Sequence, residues 1–547
     1  MKKYTVGLDF GTLSARAVLV NVATGEEAAT AEAVYAHGVM ETRLPDGTPL
    51  KPAAALQHPQ DYTDALCAVL RQVLQGIDPT QVIGVGVDFT SCTVLPVTAD
   101  GTPLCLLPGW DSHPAAYVKL WKHHAAQPQA DRLNALAADG KMPFLARCGG
   151  KISSEWLFPK LMELLEEDEA VYRAADRFIE AGDWIVWQLT GRECRSCQAA
   201  GYKAFWTPEE GYPAPAFLAK LDPRLEQATD KLAVPAAEVW QRAGTVSGAA
   251  ARLTGLAPGT PVAAACIDAH AALPGCGTVS GEEMLLILGT SSCHILLSET
   301  PYPVNGICGV VKDAIVPGFY AYEAGQPCVG DAFDWFIRTA LPADYAAEAA
   351  ARGISPHALL REKAAAQRPG AHGLLALDWW GGNRSVLDDS ALSGMLLGLR
   401  LTTRPEDIYR ALIEATAYGT RMILENYAAG GVTVRRLTAA GGIAGKDPLL
   451  MQIYADVTGR DIAVAATRQA CAVGAAIYAA VAAGPSAGGW ADVPIAAAHM
   501  ARAPQRVYHP IPENVTAYDR LFREYRVLHD YFGRGGNDVM RRLAAGI

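Results

Sequence analysis

Two short turns in this chain have residues suited to gripping phosphate, and a third segment has a carboxylate placed to act as a base. The first turn lies in Gly7-Leu-Asp9-Phe-Gly11-Thr12-Leu-Ser14-Ala-Arg16. A carboxylate closes an apolar run, a glycine permits a sharp reversal, and hydroxyls and backbone N–H groups follow that suit phosphate oxygens. Asp9 is the ligand type preferred by Mg²⁺, a hard cation, and Arg16 could offset anionic charge. Leu288-Gly289-Thr290-Ser291-Ser292 offers the same kind of turn. An ordinary hairpin with a solvated aspartate, or a plain β-turn, would show the same residues. Cys266-Ile-Asp268-Ala-His270 puts a charge inside the otherwise apolar run 262–273. A carboxylate there needs a partner or a task, unless it simply caps a helix beginning at Ala269. In Ala439-Ala-Gly441-Gly442-Ile-Ala-Gly445-Lys446-Asp447-Pro448 a strand ends in glycines that would let a flat base approach the backbone. A helix then starts with Asp447 as N-cap and Pro448 at N1. A well-capped strand-to-helix turn accounts for that segment equally. Lys446 is not a Walker lysine, because Asp447 stands where Ser or Thr belongs.

These residues need elements to hold them. Residues 4–9 and 15–20 read as strands joined by the Gly11-Thr12 turn, and another strand-like run reaches Tyr35. Strands joined so tightly suggest antiparallel pairing. The plan recurs at 284–288, the Gly289 turn and 293–297. That recurrence predicts two domains on a similar core, 1–276 and 277–547, divided in the glycine-rich segment 275–281. Helical periodicity marks 156–168, starting after Ser153 or Ser154, with Leu157, Leu161, Leu164 and Leu165 on one side. It also marks 407–427, with Thr403 and Glu406 as a capping box. The Ala-rich run 470–484 falls short of the roughly 20 residues that span a bilayer and reads as a packed internal helix.

A chain of 547 residues exceeds one hydrophobic core. Half the residues are apolar and 19% are charged, which favours packed cores over disorder. A net charge of -10, with no long Lys/Arg run, argues against nucleic acid as a partner. The 12 cysteines are scattered, and Cys194-Arg-Ser-Cys197 lacks the second pair or nearby histidines of a zinc site. Reduced structural thiols in a cytoplasmic protein are expected. Asp9 interrupts the N-terminal apolar run too early for a signal peptide, and no membrane partner is expected. There is no GxxxxGK[ST], no GxGxxG after a strand, no HExxH and no GxSxG, so P-loop, Rossmann, zincin and α/β-hydrolase readings lose support.

Further segments fit one pattern when taken in order. They are Val87-Asp88-Phe-Thr-Ser91-Cys92-Thr, Gly150-Lys151-Ile-Ser-Ser-Glu155-Trp, Gly201-Tyr-Lys203-Ala-Phe-Trp206 and Ile267-Asp268-Ala-His270-Ala-Ala-Leu-Pro-Gly275. Glu323-Ala-Gly325-Gln326 with Gly330-Asp331, Gly441-Gly442-Ile-Ala with Gln452 and Asp456, and Gln469-Ala-Cys471-Ala-Val-Gly474 complete them. Over nearly the whole chain they resemble the FGGY carbohydrate kinases of the actin–hexokinase–chaperone ATPase superfamily. The resemblance is strongest to the branch that phosphorylates L-ribulose in L-arabinose catabolism.

That resemblance implies an α/β fold of two ribonuclease-H-like domains flanking a deep active-site cleft, with sugar on the N-terminal lobe and ATP on the C-terminal one. By resemblance Asp268 is the catalytic base, and Ser91, Lys203 and Glu323 join it at the sugar. Asp9 and Asp268 are the metal-linked carboxylates. Gly11, Thr12, Ser14, Gly289, Thr290 and Ser291 hold phosphates, and Gly442 and Lys446 fall at adenosine. ATP, Mg²⁺ and a ketopentose are the implied partners, and a homodimer is compatible with all of this. Trp379-Trp-Gly381-Gly-Asn-Arg384 departs from that branch, which usually reads Trp-Asn-Gly-Asn-Arg, and the change puts the loop's rigidity in question. The expected chemistry has Asp268 take the proton of the 5-hydroxyl as that oxygen attacks the γ-phosphoryl group. An ordinary aspartate, with pKa about 3.9, is ionised at neutral pH, and such a base is worth roughly 10²–10⁴ in rate. A xylulose or ribitol kinase is the nearest rival. An actin-like nucleotide-dependent interaction protein would share the turns without the sugar residues.

Overall fold

The chain is described by a computed structural model that covers residues 2–546. Its residues fall into two units that are not contiguous in sequence. The first holds the chain up to Val279 together with Val311–Ala321 and Gln469–Arg502. The second holds Ser280–Val310, Tyr322–Arg468 and the chain from Ala503 onward.

The first unit is built on a mixed sheet. In order across it lie Glu27–Val34, Ser14–Asn21, Tyr4–Phe10, Val82–Phe89, Pro261–Ala263 and Arg242–Thr245, and the short strand Cys266–Ile267 also pairs with Val82–Phe89. Tyr4–Phe10 runs antiparallel to Ser14–Asn21 and parallel to Val82–Phe89. Both Tyr4–Phe10 and Val82–Phe89 are buried along their whole length, as expected of strands covered on both faces. The second sheet repeats the plan. Glu283–Leu288 pairs antiparallel with Ser292–Ser298 and parallel with Arg436–Ala440, which pairs parallel with Ile462–Val464. The recurrence seen in the sequence is therefore a repeat of topology. A smaller sheet in the first unit joins Leu56–Gln57, Val118–Lys119, Val94–Val97 and Arg177–Glu180.

The Ala-rich run forms the helix Ala470–Ala483, nearly all of it buried, and it packs on the first sheet. It lies unusually close. A Cβ built on Gly7, Gly86 or Gly84 would fall 1.7, 2.0 or 2.5 Å from the carbonyl oxygens of Ala472, Ala475 and Ala479. Where the helix meets Asp268–Gly275, a Cβ on Gly474 would lie 1.6 Å from the Ala271 carbonyl oxygen. Glycine opposite alanine lets main chain touch main chain. Among the described residues no helix is long and apolar enough to cross a membrane, and none of the cysteines forms a disulfide.

Two helix starts differ from the sequence reading. The long helix runs Pro405–Ala429 with Arg404 as N-cap, and Asp407, not Glu406, accepts from the Arg404 N–H at 2.8 Å. Pro405 is the reason, since proline is favoured at N1 and pins the start there. The helix Leu157–Glu167 has Trp156, not a serine, at its N-cap. Ser153 instead accepts from the Glu155 N–H just upstream.

Candidate functional site

In the first unit, the reversal after Tyr4–Phe10 is closed by the Gly11 N–H donating to the Ser14 carbonyl at 3.0 Å. Thr12 is held from outside: its carbonyl accepts from Gln57 Nε2 at 2.7 Å and its hydroxyl from Trp121 Nε1 at 3.1 Å. The side chains of Ser14 and Arg16 turn to protein carboxylates. Ser14 Oγ donates to Glu32 at 2.8 Å, and Arg16 bridges Asp9 at 3.3 Å and Glu32 at 3.1 Å. What the turn presents is therefore mostly backbone, and Arg16 already offsets the charge of Asp9.

Asp9 and Asp88 are direct register partners on the two parallel strands. Two residues before each, on the same face, stand Gly7 and Gly86, which touch the Ala470–Ala483 helix. The carboxylates thus follow at the end of the glycine contact, beside Cys471 in that helix's first turn. Ligand atoms of Asp9, Asp88 and Cys471 all lie within 4.8 Å of one another. Asp88 is completely buried, and neither of its oxygens has a hydrogen-bond partner among the described residues. Burial, and then the charges of Asp9 and Asp268, push its carboxyl well above the usual range. Burial also raises Asp9, against the pull of Arg16. Asp268 is half-buried and opens the helix Asp268–Gly275 itself, so it is not the N-cap of a helix beginning at Ala269; Ile267 takes that position.

Ser91 sits in a tight bend at the end of Val82–Phe89, followed by Cys92 in the left-handed region at φ 58°. The bend is clamped by a buried lysine, Lys160, which donates to the carbonyls of Cys92 at 2.5 Å and Leu120 at 2.8 Å. Glu180 accepts from the Thr93 N–H at 3.1 Å, and burial pushes its carboxyl up to about 8. Lys203, only 4% exposed, lies in the helix Cys197–Ala204 with its ammonium 5.4 Å from the Tyr202 ring and 5.8 Å from the Trp156 ring. Two aromatic faces suit a cation that has lost its water.

In the second unit the Gly289 N–H donates to the Ser291 carbonyl at 2.9 Å, repeating the first turn. The helix Gly330–Ala340 starts against it. Val329 N–H reaches the Thr290 carbonyl at 2.7 Å, and Gly330 N–H reaches the Gly289 carbonyl at 3.0 Å. Gly330 has no room for a side chain, since its Cβ would lie 2.8 Å from the Gly289 oxygen. Glu323, half-buried, lies on Tyr320–Gln326. Three residues on, Gln326 is fully used. Its Oε1 accepts from Ser292 and Thr420, each at 3.0 Å, and its Nε2 donates to Asp378 at 2.8 Å and to the Thr416 carbonyl at 2.9 Å. This fixes the strand leaving the turn.

Asp447 caps Pro448–Thr458 by accepting from the Leu450 N–H at 2.9 Å, with Pro448 in the first turn, as the sequence predicts. Gly442 and Lys446 are exposed, and no heavy atom would lie within 4 Å of a Cβ on Gly442. Gly381 also leaves room for a Cβ, 3.5 Å from Pro327 and Cys328. Its loop is ordered instead by Asn383, which exchanges backbone bonds with Asp389 and accepts from the Leu387 N–H at 2.9 Å.

Asp88, Lys160, Glu180 and Gln326 were not singled out from the sequence as site residues. Two left signals. Asp88 is the one charge in the apolar strand VIGVGVDF, and Lys160 stands on the leucine stripe of its helix, three residues after Leu157 and four before Leu164.

Comparisons with known proteins show the family. The N-terminal domain model of the FGGY family of carbohydrate kinases matches residues 4–275, and its C-terminal domain model matches 284–483. A ribulokinase of Geobacillus thermodenitrificans is 50% identical over 547 residues, covering 99% of this chain and 97% of the relative. A ribulokinase of Mycolicibacterium smegmatis is 49% identical over 546 residues, covering 99% and 96%. The crystal structure of a xylulose kinase from Rhodospirillum rubrum matches with a TM-score of 0.79 at 25% identity, covering 96% of this chain and 98% of that one. With both domain models matched in order, and full-length relatives at half identity, the chain belongs to the FGGY family of carbohydrate kinases.

Proposed function

We propose that this enzyme transfers the γ-phosphoryl group of ATP to the 5-hydroxyl of L-ribulose. The observation that carries the proposal is the 50% identity, sustained over 99% of the chain, to a protein named ribulokinase. In this reading Asp268 accepts the hydroxyl proton while the 5-oxygen bonds to phosphorus and the bond to the departing ADP breaks. Lys203 and Glu323 hold sugar hydroxyls, and the backbone at Ser91 borders the sugar. The backbone N–H groups of the turns at Gly11–Ser14 and Gly289–Ser291 cradle phosphate oxygens where charge builds up. Open backbone at Gly442 and the exposed Lys446 border adenosine.

The carboxylates of the first unit suit Mg²⁺. Asp88 is buried beside Asp9, and among the described residues no N–H or hydroxyl donates to its oxygens; such hard oxygen donors fit that ion. The Cys471 thiol, raised by burial, does not join them. Asp9 and Asp268 would hold the ion with Asp88 alongside, and it would neutralise phosphate charge. The chain's own residues orient the hydroxyl and move its proton.

The test is a comparison of kcat/KM for L-ribulose, D-ribulose, L-xylulose, D-xylulose and ribitol, read as sugar-stimulated ADP release from ATP. L-Ribulose should be highest. A higher value for either xylulose or for ribitol, or no sugar-stimulated release, would refute the substrate assignment. Asp268→Asn should bind the sugar yet lose at least about a hundredfold in turnover.

A further inference from the structure

We propose that Gln198 is a positioning residue for the transfer, aiming Asp268 by holding the main chain immediately before it; this rests on the reading of Asp268 as the base. Gln198 is completely buried, at the second position of the helix Cys197–Ala204. Its Oε1 accepts from the Ile267 N–H at 2.7 Å, and its Nε2 donates to the Ala314 carbonyl at 2.6 Å. One amide therefore ties together three separated stretches of the first unit.

Ile267 is the N-cap of Asp268–Gly275, and no side chain caps that helix. The helix is eight residues long and carries Pro274 near its end. Asp268 Oδ1 accepts from the Ala269 N–H at 2.6 Å, so its carboxylate moves with that first turn, and how the Ile267 peptide is held helps to set where the turn starts. The short strand Cys266–Ile267 pairs on one side with Asp88 and Phe89. Gln198 supplies the tie to the N–H of Ile267. A leucine would fill the same space, but a buried amide satisfied at both ends admits a single geometry.

The same helix carries Lys203 five residues further on. It also carries Tyr202, whose hydroxyl donates to the Ala321 carbonyl at 2.5 Å, on the strand that goes on to Glu323. The helix that bears the sugar-holding lysine thus sets the backbone that bears the base. A misplacement of about 1 Å can cost roughly 10²-fold in rate, and that is how Gln198 would make itself felt without touching substrate.

A double-mutant cycle tests this. Gln198→Leu is measured in the wild-type and in the Asp268→Asn background, with saturating L-ribulose and ATP. If Gln198 acts through Asp268, kcat falls at least about tenfold in the wild type and less than about twofold in Asp268→Asn, with the KM for ATP unchanged. Equal loss in both backgrounds would mark a merely structural role and overturn the proposal, as would a wild-type loss below about twofold. Should Gln198→Leu not fold, Gln198→Glu serves. It keeps an acceptor for Ile267 but sets a carboxylate oxygen against the Ala314 carbonyl and breaks the two-ended tie, so kcat should again fall at least about tenfold in the wild type and less than about twofold in Asp268→Asn; a smaller wild-type loss, or equal loss in both backgrounds, overturns the proposal. Failure of the wild type to phosphorylate L-ribulose would overturn the substrate reading itself, and is told apart because failure of Gln198's role appears only in the variants.

Discussion

Gly86→Ala puts a single methyl group into the contact between the first sheet and the Ala470–Ala483 helix. The new Cβ would lie 2.0 Å from the Ala475 carbonyl oxygen, 2.6 Å from its carbon and 3.2 Å from its Cα. All three are main-chain atoms, so no side chain can swing aside, and the helix must retreat by more than an ångström to reach ordinary contact. Overpacking of this kind costs about 1–3 kcal/mol, and a rigid neighbour places this site at the upper end. Replacing glycine returns about 0.4–1 kcal/mol through the unfolded chain, leaving a net loss of about 2 kcal/mol. For a unit of this size, larger than 250 residues, that corresponds to a melting temperature lower by roughly 3 °C. Calorimetry against wild type measures it, with Gly248→Ala as the control. Gly248 opens the helix Gly248–Thr254, and its Cβ would meet only the tip of Arg252, at 3.8 Å. The control should melt at or slightly above the wild type. If Gly86→Ala melts within about 1 °C of the wild type, close main-chain contact is not what holds this helix to the sheet.

Lys203→Ala should chiefly raise the KM for the sugar, and an unchanged KM would remove its contact role. Gly442→Val should leave the melting temperature unchanged, because the site is open, while raising the KM for ATP but not for sugar; an unchanged KM for ATP would move adenosine elsewhere. Burial lowers His123 to about 4 and His294 to about 3. Their neutral forms are fully stabilising above the unfolded value near 6.5, and that contribution is lost as pH falls from there toward the folded values. The melting temperature should therefore drop between pH 6.5 and 4.5, and His123→Gln should flatten the drop; an equal drop in that variant would exonerate His123.

Local signals carried most of what the sequence disclosed. The Gly11 and Gly289 reversals and the Asp447-Pro448 cap are settled within a few residues, by a glycine, a cap and a ring. The start of the long helix slipped by one position, because a proline outranked a threonine. Lys160 and Glu180 escaped notice, and Gln326 was named without its role, because their partners are carbonyls, hydroxyls, a carboxylate and backbone N–H groups 34 to 94 residues away. Gln198 reaches 69 residues in one direction and 116 in the other. No periodicity announces such bonds. Lys160 was visible only as a charge on an apolar stripe, a pattern that says a lysine is buried without saying what it holds.

The helix Ala470–Ala483 belongs to the first unit although most of the second unit precedes it in the chain. During synthesis the first sheet therefore emerges long before the element that covers its glycine stripe. Until residue 483 has left the ribosome, Gly7, Gly84 and Gly86 face a gap that nothing earlier in the chain fills in the finished structure. A fragment ending at residue 275 would keep that bare face permanently. It should be sticky and poorly soluble, and a separately supplied 284–483 piece would have to bring the helix back. The order of translation makes the first half of the chain wait for the second.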